Sequence, residues 1–325
     1  MRKFVRKVLI LLTILGILLA GVNFAYVHTD HYKNLNEMGK FSELPEHIDI
    51  VNFGASHSQY AFDWEAYDSF SGVNMALGAQ TVVYDRALFQ YYLDHLDENS
   101  MVVLEVMYKS LYEREPEEPY GTDITRYYQI LPGELIKHWT WKDALKFKYI
   151  PILGNRREAL SYIWSEWIED GQEEKKEIWG EMPTGEPTQV LAGWEENAML
   201  VEGNRRASVF MEISGNQEHG AQYEAFIDII ETCKENHIQV ILVTAPTLPC
   251  FYDGFSEAFL NLFYADMEAI CEEYDLLYLD YTGDERFLED YRWYRDTDHL
   301  NAYGAVIFTQ TFLQDVQDLL PFYGD

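Results

Sequence analysis

Five short runs along the chain are almost purely apolar and close on a turn residue: Ile48–Gly54, Gly72–Ala76, Met101–Val106, Ile238–Thr244 and Leu276–Asp280. Such runs, without polar alternation, predict parallel strands buried on both faces. Between them the apolar spacing changes to three and four. Tyr84, Ala87, Leu88, Tyr91 and His95 share one helix face, and Tyr223, Phe226, Ile227 and Ile230 share another. Phe255–Tyr274 predicts a long helix, and Ala302–Leu319 an amphipathic one that closes the pattern. Strands alternating with helices in this way predict an α/β fold, a three-layer doubly wound parallel five-stranded sheet.

Ahead of this pattern lies a different one. Arg2, Lys3, Arg6 and Lys7 precede an apolar stretch from Val8 to Val22, which Phe24–Val27 extends past Asn23. The run is about 20 residues, the length a helix needs to cross ~30 Å of hydrocarbon. Basic residues before it and polar residues after it place the N-terminus inside and the bulk of the chain outside the cytoplasm. We read residues 1–28 as a cytoplasmic tip and uncleaved signal anchor at the cell membrane. A cleaved signal peptide is the alternative, although no Ala-x-Ala site follows. Residues 29–46 read as a polar stalk, and residues 47–325 as the α/β domain.

The domain is interrupted. At about 110–220 the strand rhythm disappears for too long to be a plain loop. Here lie the Glu113–Pro119 acidic turn, the Trp139/Trp141 pair, and Trp164 and Trp167, three apart as on one helix face. The stretch predicts a largely helical insertion over the carboxyl edge of the sheet, with its tryptophans in a core.

Composition narrows the partners. With 24 basic against 55 acidic residues the formal charge is −31, which argues against a nucleic-acid partner held through phosphates. Fifty aromatic side chains, 24 Tyr, 18 Phe and 8 Trp, exclude disorder as a whole. Cys233, Cys250 and Cys271 are too few for a disulfide scaffold.

Two segments carry chemistry. Asn52-Phe53-Gly54-Ala55-Ser56-His57-Ser58 follows the first strand. In an open parallel sheet, ligands bind at the carboxyl ends of the strands, and a glycine there permits a sharp turn. Ser56 is therefore a candidate nucleophile whose own N–H can serve an oxyanion; a serine helix cap is the plainer reading. Arg295-Asp296-Thr297-Asp298-His299-Leu300-Asn301 precedes the last helix. Asp296 can hold one nitrogen of His299 and leave the other to accept a proton. Taken alone, the same segment suits a capping turn, or a metal-dependent phosphoesterase site of Asp296, Asp298 and His299. Asp298 reads as a structural cap, His57 as pocket lining or structurally satisfied, Asn52 and Asn74 as turn partners, and Arg295 as a surface ion pair.

Together, Gly54-Ala55-Ser56 and Asp296-x-x-His299 resemble the first and last blocks of SGNH/GDSL hydrolases. The resemblance covers about Ile48 to Val106 and Ile238 to Leu319. It implies a flavodoxin-like fold, a Ser56–His299–Asp296 triad without metal or cofactor, and Gly78 as oxyanion donor beside Ser56. Val106–Ser110 stands where the superfamily takes a third donor, and Ala55 replaces its aspartate; Gln80 is the candidate substitute donor. The likeness is greatest to the membrane-anchored, extracytoplasmic branch that includes the D-alanyl transfer protein of lipoteichoic acid assembly and alginate O-acetylation proteins. It implies acyl transfer or ester hydrolysis on an acylated cell-envelope glycopolymer, beside a membrane-bound O-acyltransferase as partner. A non-catalytic polymer-binding or partner protein on the same fold is the alternative.

Overall fold

The computed structural model describes residues 1–33, 35–42, 44–114, 122–154, 156–168, 196–288 and 291–320. Five strands are present: β1 (Ile50–Phe53), β2 (Gly72–Asn74), β3 (Met101–Glu105), β4 (Gln239–Thr244) and β5 (Leu277–Asp280). All pair in parallel in the order β2-β1-β3-β4-β5, which is the flavodoxin-like order of a doubly wound sheet. The principal helices are α1 (Arg2–Val27), α2 (Ser56–Ala61), α3 (Val82–Tyr92), α4 (Arg156–Trp167), α5 (Glu196–Ser214), α6 (Ala221–Glu235), α7 (Glu257–Tyr274) and α8 (Ala302–Asp315).

Burial follows strand position. β1 and β3 are buried at every residue. The edge strand β5 is not, and its Leu277 is 40% exposed. An apolar run thus marks a strand here without guaranteeing burial on both faces. Each strand is one to three residues shorter than its apolar run. The last helix stops at Asp315, with a separate turn over Gln317–Leu319, and α7 begins at Glu257 because Ser256 caps it by accepting from Phe259 N–H.

The chain divides into two compact units. One comprises residues 44–117 and 182–325 and contains the sheet, α2, α3 and α5–α8. In its core, Phe62, Trp64, Tyr281, Phe287, Phe308 and Phe312 close over Ile50, Met101, Val103 and Ile241.

The other unit comprises residues 1–43 and 118–181. It holds α1, the one described helix long and apolar enough to cross a membrane, together with α4. The segment read as a stalk forms short helical turns at Asp30–Lys33 and Leu35–Phe41, with Met38 and Phe41 buried. The predicted placement of the tryptophans is corrected. Trp141, Trp164 and Trp167 are 67%, 54% and 52% exposed. α4 turns Ala159 and Ile163 toward α1 instead, which leaves the tryptophan face outward. Of the acidic turn, residues 115–119 lie outside the described residues.

Candidate active site

Ser56 is the first residue of α2, directly past the end of β1. Its position is set by a buried amide network. Asn52 Nδ2 donates to Ser58 Oγ and to Asn74 Oδ1, both at 2.9 Å, while its Oδ1 accepts from Trp64 Nε1 at 2.7 Å. Asn74 Nδ2 in turn donates to the carbonyls of Gln59 and Phe62, tying the turn after β2 to α2. Every Asn52 group is satisfied, so the turn is fixed without strain in the polar core. Gly54 is the hinge: its φ is +137°, and an added Cβ would lie 2.7 Å from Glu105 Oε2 and 2.8 Å from Ser58 Cβ. Only glycine fits that backbone and that space.

The capping position of α2 is Ala55, and no side chain caps the helix. The Ser56 hydroxyl is therefore not spent on its own helix. It lies 2.7 Å from His299 Nε2.

His299 comes from the turn before α8. The Tyr294–Leu300 bridge and the Arg295 N–H to His299 carbonyl bond close this turn. Asn301 caps α8 by accepting from Gly304 N–H at 3.0 Å, and its Nδ2 donates to the Arg292 carbonyl. A Cβ on Gly304 would lie 2.2 Å from the Trp293 carbonyl oxygen, so a glycine lets the helix start this close to the turn. Within the turn, Asp296 Oδ1 accepts from the backbone N–H groups of His299 and Asp298 at 2.8 and 3.0 Å. The same carboxylate sits 2.9 and 3.0 Å from His299 Nδ1. Nδ1–H donates to this acceptor, which leaves Nε2 unprotonated toward the serine. Burial alone would raise the Asp296 carboxyl, but the hydrogen bond and charge of His299 hold it below the usual range.

A second histidine–aspartate pair stands behind the first. His57 is buried and its Nε2 donates to Asp298 Oδ2 at 3.1 Å. Arg206, on α5, grips the same carboxylate with Nε at 2.9 Å from Oδ1 and Nη2 at 2.5 Å from Oδ2. Asp298 is therefore the buried hub of a charged network, not the cap the sequence suggested. Its carboxyl is held far below the ordinary value: burial opposes ionisation, but the bonds from His57 and Arg206 and the neighbouring imidazoles outweigh it. Burial and the adjacent His299 push His57 down to about 4, so it is neutral near pH 7. Arg206 compensates Asp298, and Asp296 is the carboxylate within hydrogen-bond distance of His299 Nδ1.

Arg206 had no sequence signal, because α5 lies 90 residues before the motif. Its helix is brought in by close packing. A Cβ on Gly203 would meet the Cys250 carbonyl oxygen at 2.3 Å, so α5 lies directly on the turn after β4. The Arg295 guanidinium lies 4.3 Å over the Tyr60 ring, and Tyr60 meets His299 edge-on.

The predicted oxyanion groups divide. Ser56 N–H makes no hydrogen bond to the described residues. Gly78 lies on the turn after β2, where an added Cβ would meet only Gln59 Oε1, at 3.5 Å. Gln80 does not serve the pocket: its buried Nε2 bonds Gly54 O, Met75 O and Asp85 Oδ1. After β3, Ser110 Oγ accepts from Met107 N–H and the Tyr108 hydroxyl bonds Thr282.

His57, Asp298 and His299 form the one described group with metal-ligand potential. Both Asp298 oxygens already bond Arg206, and His299 Nε2 faces Ser56, so the set suits a guanidinium better than an added cation. Cys233, Cys250 and Cys271 are unbridged; burial raises the Cys233 thiol.

No family model matches the chain. No curated protein matches it either. Among solved structures, a candidate acylhydrolase from Bacteroides fragilis NCTC 9343 aligns over 89% of this chain and 98% of its own, at 13% identity and a TM-score of 0.39. That likeness is too distant to carry a functional argument.

Proposed function

We propose that the chain is a membrane-anchored serine-dependent acyltransferase or esterase acting on an acylated cell-envelope glycopolymer. The observation that carries this reading is the unbroken relay from Ser56 Oγ through His299 to Asp296, at 2.7 and 2.9 Å. In the proposed reaction His299 Nε2 takes the Ser56 hydroxyl proton while Oγ attacks the ester carbonyl. The oxyanion forms toward Ser56 N–H and Gly78. Collapse breaks the ester bond, His299 returns the proton to the leaving alcohol, and the acyl group stays on Ser56. Water or an acceptor hydroxyl then attacks the acyl-serine, giving hydrolysis or transfer. The basic N-terminus and the apolar length of α1 support an outer-face location. The glycopolymer, and a membrane-bound O-acyltransferase as partner, are supported by the motif resemblance.

Turnover of an aryl acetate by the whole chain tests the reaction, with Ser56→Ala as control. Hydrolysis lost in that variant is expected; equal hydrolysis by both proteins would remove Ser56 from the role. One observation favours a non-catalytic polymer-binding protein instead: Gln80, the candidate substitute oxyanion donor, donates its Nε2 elsewhere. Polymer binding that survives Ser56→Ala, with no ester turnover by the unaltered chain, would establish that reading.

A further inference from the structure

We infer that the exposed apolar face of α4 is a lipid-binding surface that lies in the outer interface of the membrane α1 crosses. The inference goes beyond the proposed chemistry and rests on the reading of α1 as a span. After the cations Arg2, Lys3, Arg6 and Lys7, a span of about 20 residues reaches from Val8 to Val27. The end of that span is not bare. Tyr26 is fully buried, and Val22 and Tyr26 pack with Ile150, Ile152, Ala159 and Ile163. The Ile152 N–H also donates to Asn23 Oδ1. From Val22 to Val27 the helix rises about 9 Å at ~1.5 Å per residue, and over that length protein covers part of it. The bare part, Val8 to Gly21, is only about 21 Å long by the same rise, short of the ~30 Å of hydrocarbon. The side chains around the end of α1 therefore stand at membrane depth whenever α1 crosses.

α4 is one of the elements placed there. It turns Ala159 and Ile163 to α1, and Glu166 accepts from the Asp30 and His31 N–H groups at 2.6 and 3.1 Å. Its neighbouring face carries Leu160, Trp164 and Trp167 at helical spacing, with Ile168 next, each more than half exposed. Four large apolar groups facing water would be costly at that position; facing the headgroup and acyl boundary they are favourable, and tryptophan is the residue such boundaries select. A second ridge in the same unit repeats the chemistry: Trp141 and Tyr149 are 67% and 53% exposed, with Lys142 beside Trp141.

The test uses the whole chain reconstituted in vesicles of phosphatidylcholine and phosphatidylglycerol, with lipids brominated near the glycerol as quenchers. Tryptophan emission should be quenched. Trp164→Phe with Trp167→Phe, which keeps the face apolar, should lose a large share of that quenching although it removes only two of eight indoles. Unchanged quenching in the double variant would overturn the inference. Release of the chain by alkaline carbonate would overturn the spanning reading itself, a separate outcome. Photo-crosslinking from Leu160→p-benzoylphenylalanine in native membranes should give lipid adducts. A protein adduct instead would assign the face to a protein partner and overturn the lipid assignment.

Discussion

The imidazole rings of His57 and His299 lie nearly parallel, with centroids 4.3 Å apart and 24° between their planes. Each ring bonds its own aspartate, Asp298 for the first and Asp296 for the second. One dyad faces the serine; in the other, a neutral buried His57 bonds the ionised Asp298 carboxylate that Arg206 grips.

The proposed orienting role of Asp296 predicts the outcome of Asp296→Asn. The amide cannot accept from His299 Nδ1–H in the required sense without turning its NH2 away, so the proton can shift to Nε2 and block the base. We expect kcat for ester turnover to fall by about 10³–10⁴-fold, with little change in melting temperature. Steady-state kinetics against thermal melts checks this; a loss under about tenfold would remove Asp296 from the relay.

Arg206→Ala should act on both stability and rate. It strips the bidentate partner from a buried carboxylate and leaves Asp298 charged beside His299. Breaking a buried pair costs about 3–5 kcal/mol, and partial exposure of Arg206 reduces this to roughly 1–3 kcal/mol. Arg206→Lys should restore part of the stability but not the two-point grip. Urea unfolding with parallel kinetics separates the effects; a variant as stable as the parent would show that the network contributes nothing.

Glu105 predicts an alkaline loss of stability. It ends β3 directly under Gly54, buried, and neither oxygen makes a hydrogen bond of ordinary geometry. Burial and the Asp85 charge raise it from 4.5 to about 8, against Ala55 N–H and Lys109. The unfolded chain releases this proton above pH 4.5 and the folded chain only near 8, so the contribution is full below 4.5 and is lost as pH rises to 8. At pH 7 the cost is about 3 kcal/mol. Glu105→Gln should recover most of it and flatten stability between pH 6.5 and 8 in denaturant titrations. A variant no more stable at pH 8 than the parent would contradict this.

His57 predicts the opposite slope in acid. Its proton affinity is lower folded, about 4, than unfolded, 6.5. Its contribution is full above 6.5 and disappears as pH falls to 4, about 3 kcal/mol in total. Between 4.5 and 6.5 this slope and that of Glu105 oppose each other, so the stability optimum falls in mildly acidic solution. Replacing His57 by Gln should abolish the loss between pH 6.5 and 4 in chemical denaturation. An unchanged acid slope would place the titrating group elsewhere.

The sheet was legible in the chain because it depends on local pattern, and the two segments that carry Ser56 and His299 stood out for the same reason. Apolar runs ending in turns marked every strand, and Gly54-Ala55-Ser56 and Asp296-x-x-His299 each sit at a strand or turn boundary that brings them to one edge. What escaped the sequence depends on long-range packing. Arg206 is an ordinary helix residue until Gly203 lets α5 approach Cys250. Asp298, two positions from Asp296, looked like a cap because nothing local shows which carboxylate meets a guanidinium. Trp164 and Trp167 carried a core-like spacing, and only their position on α4 relative to Ala159 and Ile163 reveals that they face outward. Gln80 looked available because its three backbone and side-chain acceptors come from separate segments.

In the proposed mechanism the Ser56 oxygen is a nucleophile made so by His299. Intact-protein and peptide mass spectrometry after exposure to a fluorophosphonate measures it most directly. A single phosphonyl adduct on Ser56 is expected, absent in Ser56→Ala and much slower to form in His299→Ala. An adduct that forms elsewhere, or forms on Ser56 equally fast without His299, would contradict it.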